Sequence, residues 1–278
     1  MSIQEIIPYI IIGITGFISY KGFNDRNFFN EYLFHVGKIR QQKDYKRLVT
    51  SGFLHADWNH LFFNMLSLYF FSSTVLYFSG ISGYLTVYAG ALIGGSLFSL
   101  FINKNNPNYS AIGASGAVSG VIFAAIALNE DASIRFFFIP IDIPGWVYAL
   151  GYTVYSILGI KNKTDNIGHE AHLGGGVAGM LIAFAFRPNL VINNYIPVLL
   201  VLVPTVIFVV ILSKFPHLLN KNTWAGSKLS SPTDTVDEEY NAIKREKEEE
   251  VNRILEKVSS QGVGSLSRDE KNFLDLNT

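Results

Sequence analysis

The 278-residue chain has no cysteine. That excludes disulfides, thiolate nucleophiles and cysteine-ligated metal, and leaves the compartment open. Charge is sparse: 16% of residues are Asp, Glu, Lys or Arg, and 22 basic residues balance 22 acidic ones. Without a basic excess, no nucleic-acid partner is expected. The first apolar run lacks the basic n-region and small-residue cleavage site of a secretory signal, so it reads as a retained helix.

Apolar residues take the place of charge. They make up 49% of the chain, unusual for a soluble globular domain, and gather in runs close to the ~20 residues a helix needs to cross a bilayer. Helices are expected at 3–20, 58–79, 81–102, 113–129, 145–160, 171–187 and 195–213. The fold class is therefore an all-α polytopic membrane protein, with the lipid bilayer as its first partner. Residues 21–54 are too charged to span, although Phe28-Phe29 and Tyr32-Leu33-Phe34 suit amphipathic structure at the interface.

Composition turns polar after Lys214. A Ser/Thr/Pro/Gly stretch around Gly226 to Asp237 reads as linker, and beyond it Val251, Ile254, Leu255 and Val258 recur at helical spacing. Gly262 and Gly264 stop that helix. Ser267, three residues before Glu270, has the spacing of a capping box for a second helix carrying Phe273, Leu274 and Leu276. The expected division is a membrane core at 1–190, a seventh transmembrane helix at 191–213, a linker at 214–236 and a soluble helical hairpin at 237–278. The hairpin's apolar stripe would bind another protein or a second copy of itself; a solvated, weakly helical tail is the alternative.

Two segments within the apolar region carry reactive groups. Gly113-Ala114-Ser115-Gly116-Ala117 sets a hydroxyl among small residues. Ala171-His172-Leu173-Gly174-Gly175, followed by Gly176 and Gly179, places an imidazole where ionisable groups are costly. A serine in a small-residue motif is commonly a packing residue, but paired with a histidine it suggests a nucleophile and the base that takes its proton. The stripes Gly116/Gly120/Ala124 and His172/Gly176/Gly179/Ala183 would let their two helices approach closely. His60 and Asn64, one turn apart, share a helix face that can present donors to an oxyanion or cross-link neighbouring helices. His169-Glu170-Ala171-His172 is one residue too short for the HExxH zinc motif, so neither metal nor cofactor is expected. A transporter is disfavoured, since the hydropathy has no repeat and the spans hold no acid–base chain.

Taken in order on successive helices, HxxxxHxxxN from His55 to Asn64, GxSGA from Gly113 to Ala117 and AHxxGxxxG from Ala171 to Gly179 resemble the rhomboid family of intramembrane serine proteases. The likeness covers about residues 1–190 and implies a six-helix bundle, to which 195–213 adds one helix. It implies Ser115 as nucleophile and His172 as general base, a dyad without an acidic third member. His60, Asn64 and the Ser115 N–H would be oxyanion donors, with Gly113 shaping their loop. His55 would tie the first loop to its helix, and Gly116, Gly175 and Gly179 would be structural neighbours of the site. Arg47 matches half of a Trp-Arg pair common in the family's first loop; Lys46 stands where the tryptophan would be, which weakens the expected anchoring. Ser119 stands where family members often carry a ring that stacks on the catalytic histidine, so the base would be held less rigidly or steadied by another ring.

The resemblance implies cleavage of transmembrane helices of membrane-protein substrates by a multi-pass protein of a cell membrane, the bacterial inner membrane. Relatives that bind membrane helices without cutting them typically lose the serine or histidine, and both are present here. Sidedness is contested. With seven spans, the first loop, the 103–112 and 161–167 loops and the tail share one side, which holds nearly all Lys and Arg. The positive-inside rule makes that side cytoplasmic, whereas in rhomboids the first-loop face is usually exoplasmic; the family orientation is kept.

Overall fold

The structure, a computed structural model, describes residues 3–135, 141–162 and 167–215, and tail residues 251, 253, 254, 256–258, 263–267, 270 and 271. The chain divides into two compact units, Met1–Thr223 and Trp224–Thr278.

All seven expected spans are helical. In chain order the described helices are α1 (Ile3–Asn24), α2 (Arg26–Tyr32), α3 (Val36–Gln41), α4 (Arg47–Thr50), α5 (Trp58–Ile102), α6 (Ser115–Leu128), α7 (Gly145–Asn162), α8 (His169–Phe186), α9 (Pro188–Asn193) and α10 (Tyr195–Lys214). Two spans are merged in α5, which breaks at Gly80 with φ 66° and ψ −175°, a conformation that glycine adopts without a Cβ penalty. Across the break Ser72 Oγ and Tyr84 OH lie 2.9 Å apart, and Arg187 at the end of α8 donates to the Phe78 carbonyl. By length and apolarity α1, α5 and α10 qualify as membrane-crossing helices. With 14 residues, α6 covers about 21 Å of the ~30 Å hydrocarbon core. It is short enough for its first residue, Ser115, to sit at membrane depth.

Every residue of α6 from Gly116 to Leu128 is buried, and α6 packs chiefly on α5 and α8, which also pack on each other. Small residues make this possible. A methyl group at Gly175 would collide with the Gly116 carbonyl, and one at Gly179 with the Gly120 carbonyl, so α6 and α8 touch backbone to backbone. The contacting stripe on α8 is Ala171/Gly175/Gly179; Gly176 instead faces the Phe123 ring, 3.2 Å from where its Cβ would be. At the far end of α6, Asn194 Nδ2 donates to the Ile126 carbonyl at 2.7 Å, satisfying one of the acceptors a helix end leaves open.

The first loop is more folded than an interfacial segment. Its strand β1 (Phe34–His35) pairs antiparallel with β2 (Ser110–Ala111), matching Phe34 with Ala111 and His35 with Ser110. Phe34, Val36 and Ile39 form a buried cluster lined by Leu48, Leu100 and Tyr109. Part-exposed rings remain on α2, with Phe28 and Tyr32 4.7 Å apart, and at Tyr45 before α4. A second small hairpin, β3 (Ser133–Arg135) with β4 (Asp142–Pro144), is closed by the exposed Arg135–Asp142 ion pair.

In the tail unit Ser267 N–H donates to Glu270 Oε2 at 2.8 Å and Glu270 N–H to Ser267 Oγ at 3.1 Å, the reciprocal bonds of a capping box. Lys257 reaches the same carboxylate at 2.9 Å and Arg253 at 3.2 Å. The Ser267 N–H and the Lys257 ammonium hold the Glu270 carboxyl down at about 2. Ile254 is buried, and Val251 and Val258 are half-buried. The stretch from Gly226 to Asp237, Leu255, Gly262, Phe273, Leu274 and Leu276 lie outside the described residues.

Candidate active site

Ser115 opens α6, at the positive end of the helix dipole. The preceding Gly113 has φ 114°, a value side chains rarely permit. Its missing side chain also makes room: a Cβ there would lie 2.9 Å from the His60 ring and 3.7 Å from Ser115 Oγ. The His60 imidazole and the Ser115 hydroxyl therefore crowd the same glycine.

The loop that carries Ser115 is held from the first-loop side. Besides the β1–β2 pairing, Gly113 N–H donates to the Ser51 carbonyl at 3.0 Å and Ala114 N–H to His55 Nε2 at 3.3 Å. His55 is fully buried, and its hydrogen bonds fix one tautomer. Ser19 of α1 gives its proton to the Phe53 carbonyl at 2.9 Å, so its oxygen accepts from His55 Nδ1–H at 2.9 Å, leaving Nε2 as acceptor. Burial first, then the nearby His60, pushes the His55 pKa down to about 3. His55 thus joins α1, the first loop and the loop leading into Ser115, more than the single tie expected.

At the start of α5, Asp57 Oδ1 accepts the His60 N–H at 2.8 Å, an N-cap that fixes the first turn. The His60 ring meets His55 edge-on, centroids 4.9 Å apart. Asn64 is buried, and its Nδ2 donates to the His60 carbonyl at 2.9 Å.

His172 enters through the crossing of α6 and α8. The Ala171 carbonyl oxygen lies 3.2 Å from where a Gly116 Cβ would be. Ser115 and His172, next in sequence to those two residues, flank the crossing, and both are half-buried. Tyr152 of α7 stacks beside His172, with centroids 6.0 Å apart and planes at 30°, and its hydroxyl lies 3.3 Å from Ser119 Oγ. A ring from another helix thus lies against the imidazole, in the space left by Ser119.

Arg47 anchors the first loop without a tryptophan. Its buried guanidinium donates to Asp44 at 2.7 Å and to the Asn30 and Leu33 carbonyls at 3.0 and 2.7 Å. Glu170, in the first turn of α8, accepts from Asn103 at 3.0 Å and Tyr109 at 3.2 Å, bonds that fix the start of the helix carrying His172. Among the described residues, no group of three or more His, Asp or Glu is placed to hold a metal ion. Tyr152 and the Glu170 cluster were not singled out from the sequence. Tyr148, Tyr152 and Tyr155 at helical spacing were the available signal for Tyr152, and it indicates a face without naming its partner.

The Rhomboid domain family model matches residues 42–189, over half of the chain. The chain belongs to the rhomboid family. Among similar rhomboids, Rhomboid protein 1, mitochondrial, of Saccharomyces cerevisiae is 33% identical over 150 residues, covering 50% of this chain and 42% of that protein. RHOMBOID-like protein 12, mitochondrial, of Arabidopsis thaliana is 27% identical over 198 residues, covering 65% and 58%. Rhomboid protease GluP of Bacillus subtilis is 30% identical over 151 residues, covering 52% and 26%. This rhomboid chain spans about half the length of the first two relatives. Both of those are mitochondrial and GluP is bacterial, so membership establishes a membrane protein and does not support the expected bacterial inner membrane. A second match, to a family of unknown function (DUF6576), covers residues 234–277 in the tail.

Proposed function

We propose that this rhomboid is an intramembrane serine endopeptidase that hydrolyses a peptide bond in or beside a transmembrane segment of its substrate. The reading rests on the backbone contact of Gly116 with Ala171, which puts Ser115 and His172 on either side of one crossing, beside the His60 ring at Gly113. Ser115 Oγ attacks the scissile carbonyl as its proton passes to His172, and His172 returns that proton to the leaving amine. The developing oxyanion accepts from Ser115 N–H at the head of α6, from His60 and from Asn64. Asn64 has a second amide hydrogen beyond the one given to the His60 carbonyl. Water then hydrolyses the acyl-enzyme, which the half-buried setting of Ser115 and His172 permits.

A regular helix in lipid hides its carbonyls in its own hydrogen bonds, so substrate segments with small or helix-breaking residues near the cut are favoured. We take the first-loop face as exoplasmic, as the resemblance implies; a reporter fused after Thr278 reads the side on which the tail lies. For the reaction, the purified chain is assayed in detergent on a model transmembrane substrate. Ser115→Ala and His172→Ala each abolish cleavage with the core folded, and the double variant is no worse than either, because a coupled pair is non-additive. Chelators leave the wild type unaffected. Robust cleavage by either single variant would sink the assignment.

A further inference from the structure

We infer that Tyr152 is a positioning residue for His172, a ring carried on α7 that forms the seat of the catalytic base. The inference rests on the serine-peptidase reading. Proton transfer from serine to histidine depends steeply on ring orientation, and a displacement of about 1 Å can cost ~100-fold. A ring stacked at 30° limits the tilt of the imidazole while leaving its edge nitrogens accessible.

Tyr152 is itself clamped. Tyr148 stacks on it at 5.6 Å and 19°, Phe123 of α6 meets it edge-on at 5.7 Å, and Ser119 of α6 lies 3.3 Å from its hydroxyl. Two of these contacts belong to the helix that begins with Ser115, so the seat of the base is aligned to the helix of the nucleophile. The ring nevertheless belongs to α7, which meets α8 through Tyr155 edge-on to His169 at 4.8 Å and through Gly159, which adjoins the His169 ring. The seat therefore holds only while α7 stays docked on α8.

The experiment compares wild type, Tyr152→Phe, Tyr152→Met and Tyr152→Leu, each as the full chain in detergent with a model transmembrane substrate. Tyr152→Phe keeps the plane and should keep kcat within about threefold. Loss of the plane in Tyr152→Met and Tyr152→Leu should lower kcat by about 10- to 100-fold with KM within about twofold. Having two variants that replace the ring with a flexible apolar side chain retains the comparison if one misfolds. NMR of histidine-labelled protein gives a second readout, in which the His172 ring protons lose the Tyr152 ring-current shift in both variants and keep it in Tyr152→Phe. Unchanged kcat in Tyr152→Leu, an equal loss in Tyr152→Phe, or His172 resonances indifferent to residue 152 overturns the inference. Absence of cleavage by the wild type would count against the peptidase reading alone, and the NMR comparison would still decide the seat.

Discussion

His55 Nε2 accepts the backbone N–H of Ala114, the residue immediately before Ser115, at 3.3 Å. Through Nδ1 the same ring reaches Ser19 on α1, and through Ser19 the Phe53 carbonyl. The conformation of the loop leading into Ser115 therefore depends on a neutral imidazole at His55. Protonation would replace the acceptor at Nε2 with a donor facing the Ala114 donor.

That dependence predicts an acid sensitivity with a definite sign. In the unfolded chain His55 titrates near its ordinary 6.5, and in the folded chain at about 3. Between those values the unfolded state binds a proton that the folded state refuses. The contribution is complete above pH 6.5 and is lost as pH falls toward 3, with a slope approaching about 1.4 kcal/mol per pH unit. The thermal midpoint of the wild type in detergent should drop between pH 7 and 4, and His55→Gln, which does not titrate, should flatten the slope. An identical slope in the variant would show that His55 does not govern it.

Glycine substitutions should separate tight crossings from open surface. A methyl at Gly175 meets the Gly116 carbonyl, backbone that yields only if α6 and α8 part. Gly175→Ala should cost about 1–3 kcal/mol by overpacking and lose most activity, because Ser115 and His172 sit on the helices forced apart. Nothing lies within 4 Å of a Cβ at Gly151, so Gly151→Ala should be neutral or stabilise α7 by up to about 1 kcal/mol. Thermal midpoints and kcat for both variants check the contrast, and equal tolerance would mean the crossing is looser than the contacts imply.

The spans were legible because a bilayer demands ~20 apolar residues whatever their partners, so 58–79 and 81–102 emerged from composition alone, with Gly80 between them. The stretches containing Ser115 and His172 were legible as short motifs of chemically unusual residues. What escaped was set by partners distant in sequence. Arg47 caps carbonyls 14 and 17 residues back, so a missing tryptophan at Lys46 did not reveal whether the loop was anchored. Phe34 looked interfacial and is buried because Leu100 and Tyr109 cover it. Tyr152 reaches His172 only once α7 docks on α8. The register of the α8 stripe depended on which side faced α6, and Gly175 rather than Gly176 took that place.

The tail should be dispensable for chemistry. Ser115, His172, His60 and Asn64 all precede residue 189, where the Rhomboid domain match ends, and the second family match occupies 234–277 by itself. The contacts described around Glu270 come from Ser267, Lys257 and Arg253, all within the tail unit. Half-buried Val251 and Val258 leave part of the apolar stripe for another protein or a second copy. Each such side chain gains about 1.5–3 kcal/mol when fully buried, enough for two or three to support a modest complex. Removing residues 226–278 should therefore leave kcat/KM on a model substrate in detergent near wild type, while changing assembly or substrate choice in membranes. A hundredfold fall in kcat/KM with the membrane core still folded would place the tail in the catalytic machinery and dissolve the boundary between the two units.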